Sequence, residues 1–213
     1  MNWLLDTLRS SIGKKLLMAV TGLGFCGFLL LHLAGNLSIF GGREMFNTYA
    51  ERLHELGLLL TLAEIGLILF AMVHIGTGAF LFYQNFRARP VGYRIKKPAG
   101  GSTIGSRTMP YTGLMLLAFV VFHLFNFSLA DKTDTTIYHI VAVSFANPGH
   151  VLVYLVAMAV AGVHVHHGVW SAFQSLGVNH PQYFPLIRKI GLGFSLLVGA
   201  GFSSIPIFLA LLS

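Results

Sequence analysis

The sequence predicts an all-α membrane protein with five transmembrane helices. Two observations lead there: 55% of the residues are hydrophobic and only 10% charged, and five long stretches carry no charge, Leu16 to Gly42, Ile65 to Phe86, Thr108 to Ala130, Thr135 to Ile187 and Ile190 to Ser213. A helix crosses the hydrocarbon core in about 20 apolar residues. The stretches are continuously apolar, unlike the alternating segments of about 10 residues that build a membrane barrel. Residues 1–213 therefore read as a single transmembrane domain.

The first element, 1–13, reads as an interfacial amphipathic helix, with Trp3, Leu4, Leu5, Leu8 and Ile12 beside Asp6 and Arg9 and with Lys14 and Lys15 following. The apolar run behind it exceeds a signal-peptide core of about 7–15 residues, so a retained span is expected. Spans are expected at about 15–40, 58–86, 109–129, 151–176 and 190–212. The run from Thr135 holds only one span, because Asn147, Pro148 and Gly149 interrupt it on one side and Gly177 to Pro185 on the other.

Five spans put the termini on opposite faces. One face would carry Arg9, Lys14, Lys15, Arg87, Arg89, Arg94, Lys96, Lys97, Arg107, Arg188 and Lys189, the other only Arg43, Arg52 and Lys132. Basic loops stay on the cytoplasmic side, which places the N-terminus inside. The net charge of +7 is thus a topology signal, although the loop Arg87 to Arg107 could also meet anionic lipid or an acidic partner. Nucleic acid binding is not called for. Cys26 is the single cysteine, so no intrachain disulfide forms, and it reads as a small packing residue.

Four histidines, His32, His74, His123 and His164, lie in four different spans, each past the middle of its own. An imidazole at membrane depth is costly unless paired, solvated or ligated, and marks a functional site by default. Because successive helices run in opposite directions, His32 and His123 are expected toward the outer face and His74 and His164 toward the inner. Each pair comes from two helices at matching depth, which suits two haems stacked in a four-helix bundle with the fifth helix peripheral to it. Two axial imidazoles leave no open position for oxygen, which favours electron transfer. Gly24, Gly27, Gly35, Gly76, Gly78, Gly162 and Gly168 near these histidines could make room for a flat macrocycle or let helices approach closely. On the fourth span His167 shares roughly the face of His164 and rivals it as ligand, whereas His166 points about 160° away. His54, His139, His150 and His180 read as surface histidines in loops or at interfaces.

His32-Leu33 with Asn36, His74 with Gly78, Phe122-His123, and the segment from His164 through Gly168, Trp170 and Ser171 to Gly177 give the whole chain a resemblance. It resembles the di-haem cytochrome b membrane anchor of succinate:quinone oxidoreductases and fumarate reductases, in the single-subunit, five-helix form. The resemblance implies two haems b as cofactors, an inner one on His74 and His164, an outer one on His32 and His123, with His164 taking the place of the ligand four residues before the glycine. It implies an iron–sulfur subunit and an FAD-containing flavoprotein as partners, and a location in the inner (cytoplasmic) membrane. The chain would be part of a succinate dehydrogenase or fumarate reductase without holding the dicarboxylate site. Electrons would pass between the iron–sulfur subunit and a quinone, menaquinone in many members, near the outer haem. Carboxylates there could handle the quinone's protons, and the candidates are Glu51, Glu55 and Glu64 with His54 nearby. Some members carry a glutamate for a proton route where this chain has Gly162. Lys14, Lys15, Arg87 or Arg89 could meet inner haem propionates, and the basic loop Arg87 to Arg107 could dock the iron–sulfur subunit.

Other readings predict different features. A cytochrome with two haems on two helices needs two histidines on each, and only His150 with His164 could imitate that. An anchor for another dehydrogenase would use the same four histidines. A histidine-relay transporter would be expected to show inverted repeats or broken helices at corresponding positions, and the sequence reads as having no internal repeat.

Overall fold

The computed structural model describes residues 3, 6, 7, 10–88 and 103–212. Among them every regular element is a helix. The first, α1 (Ser11–Asn36), begins where the Ser10 hydroxyl accepts the Gly13 N–H at 3.0 Å and caps the first turn. It thus starts a little ahead of the expected span and takes in Lys14 and Lys15. A 3₁₀ turn, Leu37–Gly41, tightens its end, and Gly42 at φ +90° turns the chain in a conformation that glycine adopts without steric cost. A short helix α2 (Gly42–His54) follows, then α3 (Leu58–Arg87).

The second half repeats this order. A capping box between Thr103 and Ser106 starts α4 (Ile104–His123), which runs into a π turn, Leu124–Ser128. After a loop comes the short helix α5 (Ile137–Ala146), then α6 (Pro148–Ser175), capped by Asn147 and opened by Pro148, whose missing N–H costs nothing at a first turn. The last helix is α7 (Phe184–Leu212). The sequence reading contained neither α2 nor α5.

Five helices, α1, α3, α4, α6 and α7, are long and apolar enough to cross a membrane, so the chain is a multi-pass membrane protein. The first four form a ring in which α1 touches α3 and α6, α4 touches α6, and α3 meets α4 only lightly. Outside it α7 lies along α6 and reaches α1, where the Gly201 Cα sits so close to Leu33 that a Cβ would stand 2.8 Å from it. The end of the bundle where α1 begins is called the near end below. The far end holds the tightest core: Ile39, Phe46, Val141, Phe145, Tyr154, Ile205 and Leu209 are buried together, and the Tyr138 N–H donates to Asn47 Oδ1 at 3.0 Å to tie α5 to α2. No residue of α3 is buried.

Candidate functional site: two histidine pairs

His74 on α3 faces α1, where Thr21 Oγ1 lies 3.0 Å from its Nδ1. Gly22, next along, lets the ring approach: a Cβ there would stand 3.4 Å from His74 Cε1. His164 on α6 meets α4 in the same way, with Thr112 Oγ1 3.0 Å from its Nδ1 and the Gly113 Cβ position 3.5 Å from its Cε1. Each imidazole thus sits on a Thr-Gly step of the neighbouring helix. His74 and His164 are also within electrostatic reach of each other.

Toward the far end, His32 on α1 and His123 at the last turn of α4 face each other directly. Their ring centroids are 5.9 Å apart and the rings are perpendicular, at 89°. His32 Nδ1 lies 3.3 Å from Asn36 Nδ2, and His123 Nδ1 lies 3.2 Å from the hydroxyl of Tyr154 on α6. Phe28 stacks on His32 at 5.1 Å and Phe119 lies beside His123 at 5.9 Å, each four residues before its histidine. The helix expected to be peripheral contributes too, because Phe202 of α7 reaches His32 at 5.5 Å. Along α1 the levels of Thr21 and His32 are separated by roughly 16 Å at 1.5 Å per residue.

These matched contacts correct the sequence reading that found no repeat. Met18, Thr21, Gly22, Leu23, Phe28, His32 and Leu33 recur as Met109, Thr112, Gly113, Leu114, Phe119, His123 and Leu124, and Ala71, Val73, His74, Gly78 and Gln84 recur as Ala161, Val163, His164, Gly168 and Gln174. The first four membrane helices, α1 with α3 and α4 with α6, are two helical hairpins repeated about ninety residues apart, and α7 stands outside the repeat. Because α1 and α4 run in the same direction, the repeat is parallel and not inverted. It exchanges His32 with His123 and His74 with His164, so each pair takes one imidazole from each half, in agreement with the pairing by depth. The repeat would also have pointed to Thr21 and Thr112, which the sequence reading passed over, as it did Tyr154.

The other candidates fall elsewhere. Glu51, His54 and Glu55 lie exposed where α2 ends, with His54 Nδ1 2.7 Å from the Ala50 carbonyl and the Glu55 carboxylate 3.3 Å from Arg52. Glu64 is exposed about two turns into α3. The structure brings none of the four into hydrogen-bonding contact with either imidazole pair. His167 turns to Trp170, ring centroids 4.7 Å apart, and leaves its buried Nδ1 without a hydrogen bond. His166 lines a groove of about 460 Å³ between α6 and α7. His139 is exposed, as expected, and with the half-buried His150 lines an open far-end pocket of about 560 Å³ together with Asn126, Asp131 and Ser144.

At the near rim Lys14 lies 3.4 Å from Gln84 and over the Phe80 ring, Arg87 bonds the Tyr83 hydroxyl, and Arg188 covers Trp170 at 4.7 Å. Arg89 and the stretch 89–102 of the basic loop lie outside the described residues. The glycines divide by role. A Cβ at Gly24 would overlap Phe70 and one at Gly35 would overlap Tyr49, whereas those at Gly27, Gly76 and Gly168 would meet nothing within 4 Å. In the far-end loop the Asp131 carboxylate is held below the usual carboxylate range by hydrogen bonds from Thr133, first its hydroxyl at 2.5 Å and then its N–H at 3.0 Å.

Among the described residues no group of three or more His, Cys, Asp or Glu side chains could hold a bare metal ion. What the arrangement holds is two imidazoles in ring contact at the far level and, at the near level, two imidazoles each set against a threonine of the neighbouring helix. At His74, His164 and His123 the hydroxyl beside Nδ1 can accept a hydrogen bond from its N–H and so leave Nε2 for an ion, the usual division of labour in a metal-ligating histidine, whereas the group beside His32 Nδ1 is the Asn36 NH2, a donor. No family model, no curated protein and no solved structure matches this chain.

Proposed function

We propose that the chain is the di-haem cytochrome b anchor of a succinate:quinone oxidoreductase or fumarate reductase, carrying electrons between an iron–sulfur subunit and membrane quinone. The observation that carries this reading is the pairing of four membrane-depth imidazoles, two at each of two levels, with every Nδ1 beside a protein partner. The donor set fits haem and not a bare ion, because a haem would ask the protein for only two imidazoles at each level, which His74 with His164 and His32 with His123 would supply. His74 and His164 would hold the near haem, and His32 and His123 the far one. When bound, the haems supply one-electron carriers at both levels.

The chain's own residues do the rest. Thr21, Thr112, Asn36 and Tyr154 orient the imidazoles, and Phe28, Phe119 and Phe202 shield the far pair from solvent. The Lys and Arg distribution makes the near end cytoplasmic, in the inner membrane, so Lys14 and Arg87 stand where propionates or an acidic partner surface would meet them. The basic loop offers the docking charge for an iron–sulfur subunit, itself joined to an FAD-containing flavoprotein. Menaquinone would react at the far end, where Glu51, His54, Glu55 and Glu64 gather around the α2–α3 turn.

The test is isolation of the native complex through a tag on this chain, followed by addition of succinate. The reading predicts co-purified flavoprotein and iron–sulfur subunits and haem bands that appear on adding succinate and are reoxidised by a menaquinone analogue. A different flavin or metal dehydrogenase in their place would make the chain a quinone-reactive anchor for that enzyme.

A further inference from the structure

We propose that Thr21 and Thr112 are positioning residues that lock His74 and His164 in the Nδ1–H tautomer, leaving each Nε2 lone pair as the metal-binding atom. Only the identity of the metal group rests on the haem reading; the tautomer is a property of the chain itself.

Each threonine hydroxyl touches three polar atoms. Thr21 Oγ1 lies 2.7 Å from the Leu17 carbonyl oxygen, 3.3 Å from that of Met18 and 3.0 Å from His74 Nδ1. Thr112 Oγ1 lies 3.1 Å from both the Thr108 and Met109 carbonyl oxygens and 3.0 Å from His164 Nδ1. A hydroxyl has one proton and a carbonyl has none. The hydroxyl can therefore serve its helix backbone and the ring together only if it donates to the carbonyl and accepts from Nδ1–H. The opposite tautomer would pull the proton off the backbone and put an N–H on Nε2, where a lone pair is needed.

Water does not relax this constraint, since Thr21 and Thr112 are 5% and 8% exposed. Together with Ser195 they are the buried polar side chains among the described residues. Gly22 and Gly113 complete the device by letting each ring lie against the helix that holds its threonine. The same construction in both halves makes the match independent of either helix's local packing. The far pair lacks it: the Asn36 NH2 beside His32 Nδ1 is a donor and cannot accept an Nδ1–H, and Tyr154 meets His123 through a phenol free of such backbone contacts.

The test uses the full-length chain, expressed with and without haem, as wild type, Thr21→Val, Thr112→Val and Thr21→Ser. In the haem-free protein, ¹⁵N spectra of labelled histidine should show Nδ1–H with a bare Nε2 at His74 and His164. Thr21→Val should release His74 alone and Thr112→Val should release His164 alone, while Thr21→Ser, which keeps the hydroxyl, should behave as wild type. In the loaded protein each valine variant should raise the dissociation constant of the near haem about 10- to 100-fold, read by transfer to apomyoglobin, and leave the far haem unmoved. Nε2–H at either histidine in the wild type would overturn the proposal, as would valine variants with wild-type tautomers and affinity. A wild type with the expected tautomers that binds no haem would remove the haem reading and leave the threonine device standing.

Discussion

Tyr154 joins the far imidazole pair to the far-end core, and its two contributions can be separated. Its hydroxyl stands 3.2 Å from His123 Nδ1, while its ring meets Phe145 at 4.9 Å, Phe119 at 5.0 Å and Phe127 at 5.9 Å. Tyr154→Phe keeps the ring and removes one hydrogen bond, worth about 0.5–1.5 kcal/mol net. One kcal/mol corresponds to about a fivefold change in an equilibrium constant, so the far haem should bind about 2- to 13-fold more weakly. Tyr154→Ala also removes a ring that is 6% exposed, at about 3 kcal/mol, the low end of the range for an aromatic deletion. The low end applies because lipid tails compete for apolar contacts as water does not. Unfolding midpoints in detergent and haem transfer from each site measure both. The Ala variant should lose at least twice what the Phe variant loses, and the near haem should stay put in Tyr154→Phe. Equal losses in the two variants, or a near-site change in Tyr154→Phe, would refute this division.

Three further outcomes are expected. Gly24→Val drives a side chain into Phe70, and Gly201→Val puts a Cβ 2.8 Å from Leu33; both should lower the unfolding midpoint, whereas Gly27→Ala, which meets nothing within 4 Å, should leave it unchanged. His167→Ala should keep both haems, since that ring is turned to Trp170, whereas His164→Ala should lose one, as haem counts per chain will show. The Asp131 carboxyl should titrate below an ordinary aspartate in an NMR pH series and return toward it in Thr133→Val. Because its folded value is depressed, its contribution to loop stability is present above the unfolded value and is lost as pH falls through the folded one.

The spans were legible because charge-free runs of bilayer length have no other use, and the depth of each histidine followed from counting along antiparallel helices. The short helices were harder. The segment Gly42–His54 mixes charges and apolar residues over too few turns to stand out, and Ile137–Ala146 is an apolar run continuous with the α6 span except at Asn147, Pro148 and Gly149. The π turn after His123 has no compositional mark. The hairpin repeat was present in the sequence but is muted by membrane composition, since matches of Leu, Val, Ala and Phe are common by chance in apolar helices and the telling ones are the few at Thr, Gly, His and Gln. The Nδ1 partners were legible only in part: Asn36 lies one turn after His32 and the repeat marks Thr21 and Thr112, but Thr21 meets His74 only when α1 packs on α3, and Tyr154 meets His123 only when α6 packs on α4.

The most direct measurement of the central claim is a dithionite-reduced minus oxidised visible spectrum of the purified chain, with haem quantified per polypeptide, for wild type and for His32→Ala, His74→Ala, His123→Ala and His164→Ala. Two low-spin haems b are expected in the wild type, with loss of the far haem when either His32 or His123 is replaced, and of the near haem when either His74 or His164 is replaced. A folded wild-type protein with no haem, or variants whose losses do not fall into these two pairs, would contradict that claim.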